Sequence, residues 1–317
     1  MTHFKKVAIQ MDPIERVDIN TDSSFVLALE AQERGYTVFY YQPKDLALMD
    51  GVVTARARTI ILRREQGNHF NFGETKIINL NETDVILMRQ DPPFDMGYVT
   101  ATHILDRIHP KTLVVNDPTS VRNAPEKLFA TLFTKLLPPT LITSDVNKIK
   151  YFQNEYKDII IKPLYGNGGA GVFHLPPGDE NLSAFLEMFA ERSNEPIMVQ
   201  AYISDVRKGD KRIILIDGKA VGAINRMPPK GDLRANIHAG GIALKTTLTI
   251  RDIEICETIG PELKRLGLIF AGIDVIGEYL TEINVTSPTG LQEINRFDNV
   301  KLESQLWDAI ESKLPKS

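Results

Sequence analysis

Three oxygen-bearing side chains interrupt an otherwise apolar, β-branched stretch at residues 268–289: Asp274, Glu282 and Asn284. Two carboxylates and an amide make a hard-oxygen set suited to Mg²⁺ carried on a nucleotide phosphate. Far upstream, Lys162 precedes Gly166-Asn167-Gly168-Gly169-Ala170-Gly171, four glycines in six positions. Glycines at that density let the backbone approach a ligand and present its N–H groups, while the lysine adds a point charge. Phosphate fits this combination; a flexible hairpin tip is the plainer alternative. The stretch matches neither G-x-x-x-x-G-K-[ST] nor G-x-G-x-x-G, which rules out a P-loop or a dinucleotide fingerprint. Three further cations stand where an anion could be met. Arg89 opens a rigid polar loop, 89–95, and is either a clamp for a carboxylate or an ordinary surface arginine. Arg212 alternates onto the face of Ile214 and Ile216, so it is expected partly buried and paired. Lys127 lies in the first turn of a helix, where the dipole disfavours a cation unless a ligand is there.

These side chains work only if the elements converge. On a strand Glu282 and Asn284 share a face. Asp274 joins them if it pairs opposite Glu282, which calls for an odd-length connection, Gly277-Glu278-Tyr279. A two-residue loop pairs Asp274 with Thr281 and turns it away, leaving polar residues on a half-solvated sheet. At the N-terminus, strand 6–11, a helix capped by Asp22-Ser23-Ser24 and stopped by Gly35, and strand 36–41 form a βαβ unit, hence an open parallel sheet. Strand 84–88 delivers the 89–95 loop to a strand's carboxyl end, where such sheets bind ligands. Asp50-Gly51 and Asp217-Gly218 are hairpin signals. Helices are expected at 126–137, 146–156, 182–192, 249–266 (disturbed at Gly260-Pro261) and 300–314. Strands are expected at 158–162 and 196–203, the second able to offer backbone groups to an adenine ring. Residues 227–242 read as a long binding loop or lid. His238 within it has no second His or Cys at ligand spacing, so it is not expected to hold a metal.

Bulk properties narrow the class. Lys plus Arg number 37 against 41 Asp plus Glu, a net charge of −4, which gives no footprint for nucleic acid or an anionic membrane. No apolar run has the length of a membrane span and none resembles a secretory leader, so a cytoplasmic location is expected. The lone cysteine, Cys256, sits on a helical stripe with Ile250, Ile253, Ile259 and Leu263 and reads as a buried structural thiol rather than a nucleophile.

Several motifs carry a resemblance. They are Met11-Asp12-Pro13, Asp22-Ser23-Ser24-Phe25, Arg89 with Asp91-Pro92-Pro93-Phe94-Asp95, Glu126-Lys127-Leu128-Phe129, Lys162-Pro163, Gly209-Asp210-Lys211-Arg212, and Thr281 through Thr289. On these, over nearly its whole length, the chain resembles the ATP-grasp carboxylate–amine ligases and, within them, the bacterial glutathione synthetases. The resemblance implies an α/β fold in which an N-terminal open parallel α/β domain (1–123) precedes an ATP-grasp fold. The latter comprises a small lid (124–203) and a larger antiparallel-sheet domain (204–317). It implies ATP-dependent ligation of glycine to the cysteinyl carboxylate of γ-glutamylcysteine through an acyl phosphate, giving glutathione, ADP and phosphate. A related ATP-grasp ligase acting on another peptide carboxylate is the alternative, and a non-catalytic ATP sensor on the same fold is a third. Mg²⁺ or Mn²⁺ is the implied cofactor, ATP a substrate, and a homo-tetramer the implied assembly.

The resemblance also implies a role for each residue of the site. Asp274, Glu282 and Asn284 hold metal; Arg212 and Asn284 face the reacting groups. ATP meets Lys127, Lys162, Gly166, Gly168, Gly169, Gln200, Ala201, Tyr202, Ile203 and Asp210. The other substrates meet Arg89, Arg234, Asn236, Gly240, Gly241, Ser287 and Thr289. Residues 290–297 depart from the family form, which bears on substrate contacts there.

Overall fold

Short apolar runs separated by a capped helix build the first sheet. The computed structural model describes residues 5–179, 181–192, 195–236 and 240–315. Strand β1 (Lys6–Gln10), helix α1 (Ser23–Glu33) and strand β2 (Thr37–Tyr41) form the expected βαβ unit, with Asp22 accepting from the Phe25 N–H as cap. The chain then makes a hairpin of β3 (Leu46–Met49) and β4 (Val52–Leu62) around Asp50-Gly51, whose φ values are 51° and 82°. Strand β5 (Phe70–Asn79) pairs β4, and β6 (Val85–Met88) follows. Helix α2 (Met96–Leu105), β7 (Leu113–Val115) and α3 (Pro118–Asn123) complete this part. The sheet is parallel over β2-β1-β6-β7, as expected from the βαβ unit, but β4 joins β2 antiparallel. The sheet is therefore mixed. Helix α4 (Glu126–Ala130) is shorter than the expected 126–137, because Phe133 leaves helical geometry in the tight turns that follow.

The second sheet contains β8 (Thr140–Thr143), β9 (Ile159–Pro163), β10 (Phe173–Leu175) and β11 (Ile197–Ala201), in antiparallel order β10-β9-β11-β8. Helices α5 (Val146–Tyr156) and α6 (Leu182–Arg192) cover it. Their Phe152, Phe185 and Leu186 pack with Ile159, Ile161 and Val199 in a core separate from the rest.

The third sheet is antiparallel, β14-β13-β12-β15-β16. Its strands are β12 (Asp210–Ile216), β13 (Lys219–Met227), β14 (Ile242–Lys245), β15 (Phe270–Ile276) and β16 (Tyr279–Asn284). Helix α7 (Ile250–Arg265) runs unbroken through Gly260-Pro261. Gly260 marks a crossing with the Asp217-Gly218 turn: a Cβ there would lie 2.2 Å from the Gly218 carbonyl oxygen. Helix α8 (Leu291–Asp298) precedes the closing α9 (Leu302–Glu311). The first and third sheets share their interior. Val7, Ile9 and Phe25 lie in one cluster with Ile214, Phe270 and Trp307, and the Trp307 indole N–H donates to the Leu27 carbonyl (2.9 Å). Asn116 joins the two sheets by donating to the carbonyls of Phe270 and Val285 and accepting from the Phe270 N–H. None of the described helices is long and apolar enough to cross a membrane.

Candidate active site

The hairpin β15–β16 delivers the acidic face. Asp274 lies opposite Glu282, and Gly272 opposite Asn284. The register is the one expected, but the expected odd-length loop is not what sets it. Ile276 pairs with Tyr279, so the connection is the two-residue Gly277-Glu278, with Gly277 at φ 59°. A β-bulge next to Asp274 absorbs Thr281 and restores the face that a regular two-residue hairpin would have lost. The Thr281 hydroxyl donates to the Asp274 carbonyl (3.1 Å), and Asn284 Nδ2 donates to Asp274 Oδ2 (3.3 Å).

Cations close on this face from neighbouring strands. Arg212, directly across from Asp274 on β12, donates Nε to Oδ1 (2.6 Å) and Nη2 to Oδ2 (3.1 Å). Arg226 on β13 bridges Asp274 Oδ1 (2.8 Å) and Asp210 Oδ2 (2.6 Å). Burial opposes ionisation of Asp274, yet the two guanidiniums hold its carboxyl well below the usual carboxylate range. Burial drives Asp210 the other way, against Arg226, and its Oδ1 has no partner among the described residues. From α4, the buried Lys127 ammonium donates to the Gly166 carbonyl (2.6 Å) and lies 3.4 Å from Glu282 Oε1. The half-buried Lys162 makes no ion pair or hydrogen bond among the described residues; burial lowers its pKa, against the pull of Glu282. Glu126, beside Lys127, accepts from the Thr286 hydroxyl (2.9 Å), and burial plus the neighbouring Glu282 push its carboxyl up to about 7.

Two cavities meet here. The first, about 870 Å³, is lined by Lys127, Lys162, Gly166, Gly168, Gly169, Gln200, Ala201, Tyr202, Ile203, Asp210, Arg234, Asn236, Asp274 and Glu282. Gln200 is fixed by donating to Thr140 Oγ1 (2.9 Å), and the Tyr202 ring stacks on His174 at 4.3 Å. In the loop between β9 and β10, Gly168 and Gly169 take φ of 62° and 77°, and a Cβ on Gly169 would sit 3.0 Å from Arg234 and Asn236. The loop thus lies against the 231–236 segment.

The second cavity, about 1060 Å³, is lined by Asp91, Glu126, Arg212, Arg226, Asn284, Ser287, Thr289 and others. Asn167, Gly168, Asn236 and Glu282 line both. Arg89 lines neither. It turns under the 287–289 segment, donating Nε to Ser24 Oγ (3.0 Å) and Nη2 to the Pro288 carbonyl (3.1 Å), while Ser287 Oγ lies 3.3 Å from the Arg89 carbonyl. Gly240 and Gly241 also line neither; Gly241 packs so closely that a Cβ would meet the Ala235 carbonyl at 2.0 Å. His238 lies outside the described residues.

Sequence reasoning passed over Arg226, Asn167, Thr286 and the carboxyl of Glu126. Arg226 carried the same signal as Arg212, because it alternates with Ile224 onto one face.

Among the described residues no three His, Cys, Asp or Glu side chains gather as a metal site. Two carboxylates and one amide are a short set, but Mg²⁺ keeps few protein ligands and completes its shell from phosphate and water. Glu282 borders both cavities, so Asp274, Glu282 and Asn284 fit an ion brought in on a nucleotide.

Residues 6–122 match the prokaryotic glutathione synthetase N-terminal domain, and 126–299 match the prokaryotic glutathione synthetase ATP-grasp domain. A glutathione synthetase of Mesorhizobium japonicum is 58% identical over 97% of this chain and 98% of that protein. One from Shewanella oneidensis is 45% identical over 98% of this chain and 99% of its own. Among solved structures, D-cycloserine synthetase DcsG superposes with a TM-score of 0.67 at 13% identity, covering 97% and 99% of the two chains. D-alanyl-alanine synthetase A from Vibrio cholerae gives 0.64 at 13%, covering 100% of both. These distant likenesses bear on the fold alone; the matched domain of residues 126–299 is what names it ATP-grasp. The motifs, the paired cavities and two domain matches spanning nearly all of the sequence converge, and the chain belongs to the prokaryotic glutathione synthetase family.

Proposed function

We propose that the first cavity binds ATP, that the second binds γ-glutamylcysteine, and that the protein joins glycine to the cysteinyl carboxylate, releasing glutathione, ADP and phosphate. The shared wall of the two cavities carries this reading. A nucleotide filling the first and a dipeptide filling the second bring phosphate and carboxylate together at Asn167, Gly168, Asn236 and Glu282. Proximity of that kind supplies much of a ligase's rate.

Gln200 to Ile203 present backbone groups to the adenine. Lys127, Lys162 and the N–H groups of Gly166 to Gly169 meet the phosphates. Asp210 holds Arg226 in place between them and the second cavity. Arg212 and Asn284 face the reacting carboxylate, with Arg226 behind Arg212 adding positive charge where it accumulates in the transition state. Arg234 and Asn236 close the cavity from the loop side, and Ser287 and Thr289 line the dipeptide. Arg89 supports that segment from beneath through Pro288, and Gly240 and Gly241 shape the loop rather than the cavity wall.

A carboxylate oxygen takes the γ-phosphoryl group and ADP leaves. The glycine ammonium gives up a proton to solvent, the free amine attacks the acyl carbon, phosphate departs with the C–O electron pair, and the nitrogen loses its second proton to leave the neutral amide. Loop 164–172, packed against Arg234 and Asn236, excludes water from the acyl phosphate. Mg²⁺, with Mn²⁺ as substitute, is the ion proposed for Asp274, Glu282 and Asn284, and its charge neutralises the phosphate oxygens when bound.

The purified protein, given Mg²⁺, ATP, γ-glutamylcysteine and glycine, is expected to yield glutathione by mass spectrometry. Phosphate release should stop when either the dipeptide or glycine is left out. An absence of glutathione under these conditions overturns the reading.

A further inference from the structure

A third, much narrower cleft opens between the start of α4 and the glycine loop. Pro92, Phe94, Pro125, Leu164 and Tyr165 give it mostly apolar walls, and Glu126 is its one carboxylate. Its position is the informative feature. It shares Glu126, Thr286 and Pro92 with the dipeptide cavity and Gly166 with the nucleotide cavity, and Asn167 borders all three. It therefore opens at the junction where the acyl phosphate forms.

We propose that this alcove is the subsite for the incoming amine, and that Glu126 is the carboxylate that binds its ammonium group. The inference rests on the ligase reading above. Glu126 is tied by one hydrogen bond, from Thr286 to Oε1, and makes no ion pair among the described residues. The nearest lysine is engaged elsewhere, since the Lys127 ammonium donates to the Gly166 carbonyl and approaches Glu282. Burial and Glu282 push the Glu126 carboxyl up to about 7 and outweigh the pull of Lys127 and Arg212, so further positive charge would stabilise its ionised form. An ammonium group supplies that charge and, held there, lies beside the acyl carbon. Asp91 and Glu282, the other acids on the dipeptide cavity, do not line the alcove. The walls also account for a small amine: Tyr165 stacks over Phe94 with centroids 6.4 Å apart, roofing the space where a side chain would project.

Two variants test this in steady-state assays with all three substrates varied. Glu126→Gln keeps an oxygen for the Thr286 hydroxyl but removes the charge. Its KM for glycine is expected to rise about 10- to 100-fold, the loss of one charge-assisted hydrogen bond, with KM for ATP and for the dipeptide nearly unchanged. A rise in the dipeptide KM instead assigns Glu126 to the dipeptide's own ammonium and overturns the proposal. An equal change in all constants marks a merely structural carboxylate and overturns it too, as does an unchanged glycine KM. Tyr165→Ala opens the roof and is expected to raise the kcat/KM of alanine relative to glycine about tenfold, the worth of one methyl in a pocket; an unchanged ratio counts against the alcove. A wild-type protein that makes no glutathione defeats the ligase reading itself, a result distinguishable from either variant's failure.

Discussion

The only sulfhydryl in the chain lies on α7, buried among Ile255, Ile259 and Leu263. Burial, with Asp252 and Glu257 nearby, pushes the Cys256 thiol up to about 12. Because the pKa is raised, the neutral thiol persists through the physiological range and the reactive thiolate appears only at strongly alkaline pH. The native protein is therefore expected to resist alkylation by iodoacetamide at about pH 8, and to label only when unfolded; stoichiometric labelling without loss of structure contradicts this. The burial of Cys256 was legible from its helical spacing to Ile259 and Leu263, but the expected stripe is misplaced at its start: Ile250 and Ile253 are exposed, and Ile255 packs in the core instead. The buried pairing of Arg212 was legible too, from its alternation with two isoleucines. Arg89 was half legible. Its place at a strand's carboxyl end follows from the strand, but its direction is decided by Ser24 and Pro288, which lie 65 and 199 residues away in sequence.

At the scale of elements, period and turn chemistry predicted most boundaries, and the departures have local causes. Thr281 has a β-branched side chain that suits a regular strand, so nothing in its type announces a bulge. The bulge follows from the two-residue turn and the need to keep Leu280 and Ile283 in the core while Glu282 stays out. Helix α8 was missed because its N-cap is Gly290, at φ 106° with no capping side chain, and it is short, burying Leu291 and Ile294 with Phe297 packed beside them. The glycine loop bears a sharper test. Gly171 has φ 70°, and a Cβ would lie 2.7 Å from Pro163 Cγ. Gly171→Ala forces the loop away from β9 at a cost of about 1–2 kcal/mol. The expected result is a rise of roughly tenfold in KM for ATP, with the melting temperature unchanged because the body core is untouched. An unaltered KM means the loop does not need this shape.

The molecule as a whole divides by its interiors. The first and third sheets are bound through common cores and Asn116, whereas the second sheet owns a separate and smaller core. Small cores open at lower free energy than large ones. In hydrogen-exchange mass spectrometry, β9 and β11 are therefore expected to exchange faster than β12 and β15, and a non-hydrolysable ATP analogue to slow the former selectively. Uniform exchange across the chain would count against an independently opening lid. The four residues common to both large cavities, Asn167, Gly168, Asn236 and Glu282, have a thermodynamic consequence as well. Ligands that press on the same side chains do not bind as strangers. On the proposed assignment of the cavities, whatever factor by which nucleotide changes the affinity for dipeptide, dipeptide changes the affinity for nucleotide by the same factor, because the two routes to the ternary complex close a single cycle.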